Sequence, residues 1–202
     1  SSAASDVYKR QQIVKEAPDA KYIIVSNPVD IMTYVFTKIS GLPENQIMGS
    51  GTILDTARLR YGLSEHFKVA QGNIHAYVFG EHGDTSFIPW TGAYISGLST
   101  DEYYEEMKAH GKDVKPLDKE AMLEYVQKSG GKVIAKKGAT FYAVSATVCQ
   151  LVGLILAASD SLATVSSMLH GEYGIEDVCL STLTLVGPNG IQGKVQMLSL
   201  IH

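Results

Sequence analysis

The chain has 202 residues, enough for one large domain or parts of two, with a net charge of −4 and a pI near 5.8 from intermixed signs. Beyond Lys136-Lys137 there is no basic run, which argues against a nucleic-acid partner. Two cysteines, Cys149 and Cys179, sit in apolar surroundings without metal-ligand spacing, so reduced structural thiols in a cytoplasmic setting are expected rather than a disulfide framework or a metal site. Residues Ser1 to Arg10 are polar and lack the apolar core of a secretion signal.

Ile13 to Ala17 reads as the end of a helix stopped around Pro18-Asp19, and Lys21 to Ser26 as a buried strand of the parallel-sheet type. Pro28 is placed as the first-turn proline of a helix running to about Ser40, closed by Gly41 and Pro43. A short strand at Ile47-Met48 leads into Gly49-Ser50-Gly51-Thr52, and from Thr52 a helix is predicted to Phe67 with Asp55 in its first turn. A strand over 74–79 runs into the heptapeptide Phe79-Gly80-Glu81-His82-Gly83-Asp84-Thr85. There follow an antiparallel segment from Phe87 to Ile95, helices from about Ser99 to His110 and from about Lys119 to Lys136, and a long apolar helix from about Thr140 to Leu169. A strand from Asp177 to Val186 turns through Gly187-Pro188-Asn189-Gly190 into a last strand, Lys194 to Met197. Phe141 to Ala158 carries no charged side chain, but Ser145, Thr147, Gln150 and the nearby Asp160 suit a helix packed inside a protein or between subunits better than a membrane span.

Strand and helix alternation in the first fifty residues, followed by long helices and hairpins, predicts an α/β protein: a partial Rossmann-type parallel sheet over 1–48, then a mixed α+β substrate module over 49–202. In a parallel sheet, ligands meet the carboxyl ends of strands, and Asn27 and Ser50 lie just beyond two such ends. His82 stands at another segment end between two glycines, where a proton carrier would be held. A carboxylate on one ring nitrogen would fix its tautomer and favour its charged form. Asp55 is the candidate. Arg58, three residues further along one helix face, would take a substrate carboxylate through the planar fork that only arginine offers. Taken singly, a structural histidine and a surface ion pair are the plainer readings; the joint occurrence with the glycine-framed loop favours catalysis. A hydrolase would need an activated nucleophile, and no Gly-x-Ser-x-Gly elbow is present; a metal reading of Glu81-His82 and Asp84 lacks a second histidine or cysteine at ligand spacing. A non-catalytic subunit-packing module built on the apolar helix stays open.

Three segments resemble successive signatures of the lactate/malate dehydrogenases, on their L-lactate branch: Val25-Ser26-Asn27-Pro28-Val29-Asp30, Gly49 to Arg60, and Gly80-Glu81-His82-Gly83-Asp84-Thr85. Lys137-Gly138-Ala139-Thr140 and Gly171 to Val178 extend the match, which covers roughly residues 12 to 197 in order. The resemblance implies His82 as acid/base, Asp55 as its orienting partner and Arg58 as the clamp on the substrate carboxylate. It further implies Asn27 at the reacting oxygen, Thr140 lining the pocket, and Val25, Asn27 and Ser50 approaching the nicotinamide of NAD. The implied reaction is reversible exchange between pyruvate and lactate, with malate or another L-2-hydroxy acid as the reserve. Thr140 and Glu81 look lactate-type. Arg60 and His75 resemble a pair that forms an allosteric site for fructose 1,6-bisphosphate across a subunit interface, so a homo-oligomer is expected too.

The chain departs from the family at both ends. The 202 residues contain no Gly-x-Gly-x-x-Gly, so the pyrophosphate half of the cofactor site is not encoded in them. Ser1 to Gln11 and Leu198 to His202 do not resemble the family and are read as non-native. The expectation is a catalytically incompetent fragment of an active enzyme, with no membrane association.

Overall fold

A computed structural model of the chain describes residues 12–138 and 141–197. The readings made for Ser1 to Gln11, for Thr140 and for Leu198 to His202 lie outside the described residues. After a helical stretch over residues 12–16, the order is β1 (Tyr22–Ile24), α1 (Val29–Ser40), β2 (Ile47–Gly49), α2 (Ile53–Phe67), β3 (Ile74–His75), β4 (Tyr94–Ile95) and β5 (Leu98–Ser99). Then come α3 (Thr100–Ala109), α4 (Lys119–Lys137), α5 (Tyr142–Leu156), β6 (Ser161–His170), β7 (Glu176–Gly187) and β8 (Gly190–Lys194). Pro28 precedes α1 as its cap instead of occupying the first helical turn. Ser99 caps α3 in a reciprocal box with Glu102, satisfying two of the backbone N–H groups that a helix start leaves unpaired.

The main sheet runs β1-β2-β6-β7-β8, with β1 and β2 parallel and the rest antiparallel. Gly49 of β2 pairs with Ser166 of β6, so the sheet is continuous across the two sequence regions. The long apolar helix expected to reach Leu169 instead stops at Leu156, and Ser161–His170 is a strand. Its residues from Ala163 to Leu169 are all buried, because β2 and β7 flank the strand and both its faces are covered. A strand buried on both faces shows no period-two alternation, which is why its apolar run read as more helix. The strand expected over 74–79 pairs regularly only at Ile74–His75, after which Phe79 bridges Phe87 and Gly80 bridges Ser181. The last strand begins earlier than expected, at Gly190, directly after the tight turn.

Two apolar clusters hold the fold. In one, Met48, Ile53, Leu151, Ile155, Val165 and Val186 join α2 and α5 to the main sheet; in the other, Leu59, Leu63, Phe67, Ile74, Val78 and Val126 join α2 and α4 to a second, antiparallel sheet of order β3-β4-β5. Complete burial of a leucine such as Leu59 or Leu63 contributes roughly 2 kcal/mol. Because α2 feeds Ile53 into one cluster and Leu59 and Leu63 into the other, the turn between them is anchored from both sides. That turn carries Asp55 and Arg58. The loop entering α2 passes against β6 and β7 so closely that a Cβ on Gly51, whose φ is +49°, would lie 2.4 Å from Ser181 Oγ and 2.6 Å from the Ser166 backbone nitrogen. Only glycine fits there.

Cys179 is buried and its thiol is pushed up to about 12 by burial, whereas Cys149 is exposed on α5, contrary to the expectation of an apolar setting for both. Among the described residues, no helix is long and apolar enough to cross a membrane. α5 is amphipathic in placement only: Thr147, Leu151 and Ile155 face the core while Leu156 and Val152 are exposed.

Candidate active site

The loop from Phe79 to Phe87 is closed by paired backbone hydrogen bonds between those two residues, and Gly80 exchanges a second pair with Ser181 of β7. Thr52 Oγ1 donates to the Val78 carbonyl at 2.5 Å, and Thr56 Oγ1 accepts from the Val78 N–H at 2.9 Å, which ties the extended segment before the loop to α2. On the far side, the Gln127 amide of α4 donates to the carbonyls of Asp84 and Ser86, both at 2.9 Å. Held at all these points, the loop presents His82 in one place. Such support is what lets a catalytic side chain stay within a fraction of an ångström of its working position.

Asp55 is the junction. Its Oδ2 lies 2.6 Å from His82 Nδ1, and its Oδ1 accepts from Arg58 Nη1 at 3.0 Å. The Asp55 side chain is 8% exposed, Arg58 15% and His82 28%, so this is a partly desolvated triad and not a surface ion pair. With Nδ1–H donated to the carboxylate, Nε2 of the imidazole is left for a substrate. The hydrogen bond that its Nδ1–H donates to Asp55 holds the His82 pKa above its ordinary 6.5, against burial and with further help from the charges of Asp55 and Asp30; Arg58 pulls it down. His82 therefore stabilises the fold fully below pH 6.5, and that contribution is lost as pH rises through its elevated midpoint. Asp55→Asn is expected to lower the midpoint of the His82 ring, followed by NMR titration, and to narrow this window; an unmoved midpoint would show that the contact is not made in solution.

A cleft of about 180 Å³ is lined by Asp55, Arg58, Ser86, Gln127, Gly130 and Ile134, and a smaller hollow of about 40 Å³ by Val25, Ser50, Gly51 and Thr147. Asn27, Leu54, His82 and Val144 line both, so the two spaces meet at the imidazole. Gly130 lies inside α4 at a cost of about 1 kcal/mol relative to alanine, and a Cβ there would stand 3.7 Å from both terminal nitrogens of Arg58. The residue keeps that side of the guanidinium open. A larger, mostly apolar hollow of about 530 Å³, flanked by Ile31, Tyr34, Phe87 and Leu180, contains neither His82 nor Arg58. The chemistry therefore points to the smaller cleft, where titratable groups converge.

The expected residues thus fall into two groups. His82, Asp55, Arg58, Asn27, Val25 and Ser50 come together at these two spaces. Arg60 and His75 do not reach them: Arg60 Nε donates to the Ala76 carbonyl at 3.1 Å with its guanidinium 5.0 Å from the Tyr77 ring centre, while His75 is exposed on β3. Glu81 accepts from Thr85 Oγ1 at 2.6 Å within its own loop. Sequence reasoning missed Gln127 and Asp30. Gln127 looks like an ordinary polar helix residue. Asp30 had a signal, since it lies three residues past Asn27 in one of the signature segments; its carboxylate accepts the His82 backbone N–H at 2.8 Å.

Residues 52–201 match the lactate/malate dehydrogenase alpha/beta C-terminal domain, and residues 7–49 match the lactate/malate dehydrogenase NAD binding domain. The chain belongs to the lactate/malate dehydrogenase family. Among curated relatives it is 46% identical over 190 residues to an L-lactate dehydrogenase of Acetivibrio thermocellus, covering 93% of this chain and 59% of that protein. It is 44% identical over 186 residues to L-lactate dehydrogenase 1 of Clostridium acetobutylicum, covering 92% and 58%. In three dimensions it resembles the solved L-lactate dehydrogenase from Clostridium thermocellum, with a TM-score of 0.81, 35% identity, and coverage of 96% of this chain and 64% of that one. The chain thus spans under two thirds of the length of these members of the lactate/malate dehydrogenase family, whose cofactor is NAD.

Proposed function

We propose that the chain forms the catalytic part of an NAD-dependent L-lactate dehydrogenase, converting pyruvate and lactate into each other. The observation that carries this reading is the single Asp55 carboxylate joining an imidazole to a guanidinium beside a cleft that Asn27 shares. Arg58 would grip the carboxylate of the 2-oxo acid, leaving the carbonyl oxygen toward Asn27 and His82. In reduction, the Asn27 amide donates to that oxygen and His82 Nε2–H delivers its proton as negative charge develops there. Asp55 stabilises the imidazolium before transfer and keeps the neutral ring in the tautomer that can take the proton back in oxidation. Val25, Asn27 and Ser50 fit the nicotinamide end of the cofactor, because the hollow they line combines apolar walls from Val25, Leu54 and Val144 with the polar ends of Asn27 and Ser50. When bound, NAD supplies or accepts the hydride.

Pyruvate is preferred over oxaloacetate on Glu81 and Thr140, which look lactate-type. The test uses the protein at the full length of its relatives and follows NADH absorbance at 340 nm with pyruvate, oxaloacetate and longer 2-oxo acids. Oxidation of NADH with pyruvate is expected to be the most efficient; a preference for oxaloacetate would make the enzyme a malate dehydrogenase, and inactivity with every 2-oxo acid would overturn the reading. We further propose a homo-oligomer working in the cytoplasm, in which Arg60 and His75 bind fructose 1,6-bisphosphate between subunits. Activation of pyruvate reduction by the bisphosphate should then disappear in Arg60→Gln, with basal turnover retained; a full-length enzyme indifferent to the bisphosphate between pH 5 and 8 would exclude this site.

A further inference from the structure

The loop that presents His82 has glycine at 80 and at 83, and Gly80 takes a φ of +92°, so the segment has little stiffness of its own. Its near side is held through His82, by Asp55 on the ring and Asp30 on the backbone N–H. On its far side, among the described residues, the hydrogen bonds that join residues 83–86 to another element come from Gln127 of α4. The two N–H bonds of that amide meet two acceptors, the carbonyls of Asp84 and Ser86. Among the described residues no backbone N–H reaches either carbonyl, and Ser86 is buried, so without Gln127 an acceptor on a buried residue would go unpaired. α4 is in turn registered on α2. Val126 is fully buried in one cluster with Leu59 and Leu63, and the helices approach so closely that a Cβ on Gly62 would lie 2.7 Å from Met122 Sδ. Gly130, three residues past Gln127 on the same face of α4, stands beside the Arg58 guanidinium. The contacts close a circuit: α2 carries Asp55 and Arg58, Asp55 holds the ring, and the loop bearing the ring is held by a helix packed against α2.

We propose that Gln127 is a positioning residue that fixes the separation between the His82 ring and the Arg58 guanidinium, so that a carboxylate gripped by Arg58 presents its reacting oxygen within reach of the ring's proton. This deepens the reading of the site as one that reduces a 2-oxo acid, and rests on it. Two handles on one small substrate must be spaced finely, since an error of about 1 Å can lower the rate by about 10²-fold. Grip by Arg58 does not need the loop; proton delivery does. Loss of Gln127 therefore falls on kcat more than on KM. It also frees the ring from Asp55 for part of the time. That hydrogen bond is the largest influence raising the His82 pKa, with Asp30 adding to it and Arg58 opposing it, so a loosened loop lowers the ring's proton affinity.

The test takes Gln127→Met, Gln127→Lys and Gln127→Glu in the protein at the full length of its relatives. Methionine keeps the length and removes both donors, lysine keeps donors for both carbonyls, and glutamate turns a carboxylate toward them. Hydrogen exchange of the amides in residues 80–87, followed by mass spectrometry, should run at least ~10-fold faster in Gln127→Met, faster still in Gln127→Glu, and near the parental rate in Gln127→Lys. In Gln127→Met, kcat for pyruvate reduction should fall by about 10- to 100-fold with KM within about threefold of the parent. Its alkaline limb should move to lower pH, toward the ordinary 6.5 of histidine, and Gln127→Lys should recover most of kcat. Parental exchange in a folded Gln127→Met would overturn the proposal and leave the dehydrogenase reading intact, as would a lysine variant no better than methionine. Should the methionine variant fail to fold, the contrast between lysine and glutamate decides in its place. The exchange arm needs no turnover: faster exchange in Gln127→Met together with a parent inactive on every 2-oxo acid would sink the dehydrogenase reading and leave the anchor standing.

Discussion

His82→Gln in the full-length enzyme is expected to cut kcat for pyruvate reduction by about 10²- to 10⁴-fold while changing KM far less, because in the proposed mechanism the ring acts on charge that develops only in the transition state. Glutamine retains a hydrogen-bond donor but has no proton to give. The partner Asp55 then keeps its Arg58 contact, so the cleft and its clamp should survive. Stopped-flow measurement of NADH oxidation separates the chemical step from binding. A variant within a few-fold of the parent kcat would show that the proton comes from elsewhere, and with it the role assigned to the Asp55–His82 contact would fall.

Arg58→Lys is expected to show a different pattern, a loss of roughly 2–5 kcal/mol in kcat/KM, or about 30- to several thousand-fold, since an ammonium cannot make two parallel hydrogen bonds to a carboxylate. Comparison with Arg58→Gln isolates the charge. The Arg58 guanidinium lowers the proton affinity of His82, so removing it should raise the ring's midpoint and carry the alkaline limb of pyruvate reduction to higher pH. The lysine variant keeps the charge and should leave that limb near its parental position. Equal pH profiles for Lys, Gln and parent would mean that Arg58 does not act on the imidazole at all, whatever its part in binding.

Much of the layout is legible in the amino-acid sequence. Glycine and proline punctuation marked the ends of α1 and the loop before α2, and helical apolar spacing marked α2 itself. His82, Asp55 and Arg58 were legible as chemistry because their side chains are costly to hold together and rarely coincide by chance. β6 was not. Its serines, threonines and apolar residues are buried on both faces between β2 and β7, a pattern that periodicity cannot separate from the helix before it. The exposure of Cys149 was equally hidden, because the apolar residues around it in sequence are spread over both faces of α5.

What the amino-acid order determined by itself was local: which residues start and stop the helices, where the backbone must bend past a glycine, and which side chains can carry a proton or grip an anion. Partnership was decided only in three dimensions. Asp55 and His82 are 27 residues apart, and Asp30 and Ser166 are 136 apart. No propensity or spacing links such positions, since the contacts exist only once two apolar clusters have fixed α2 against both sheets. The same long-range packing buries the Asp30 carboxylate, because its burial depends on a strand that lies more than a hundred residues away along the chain.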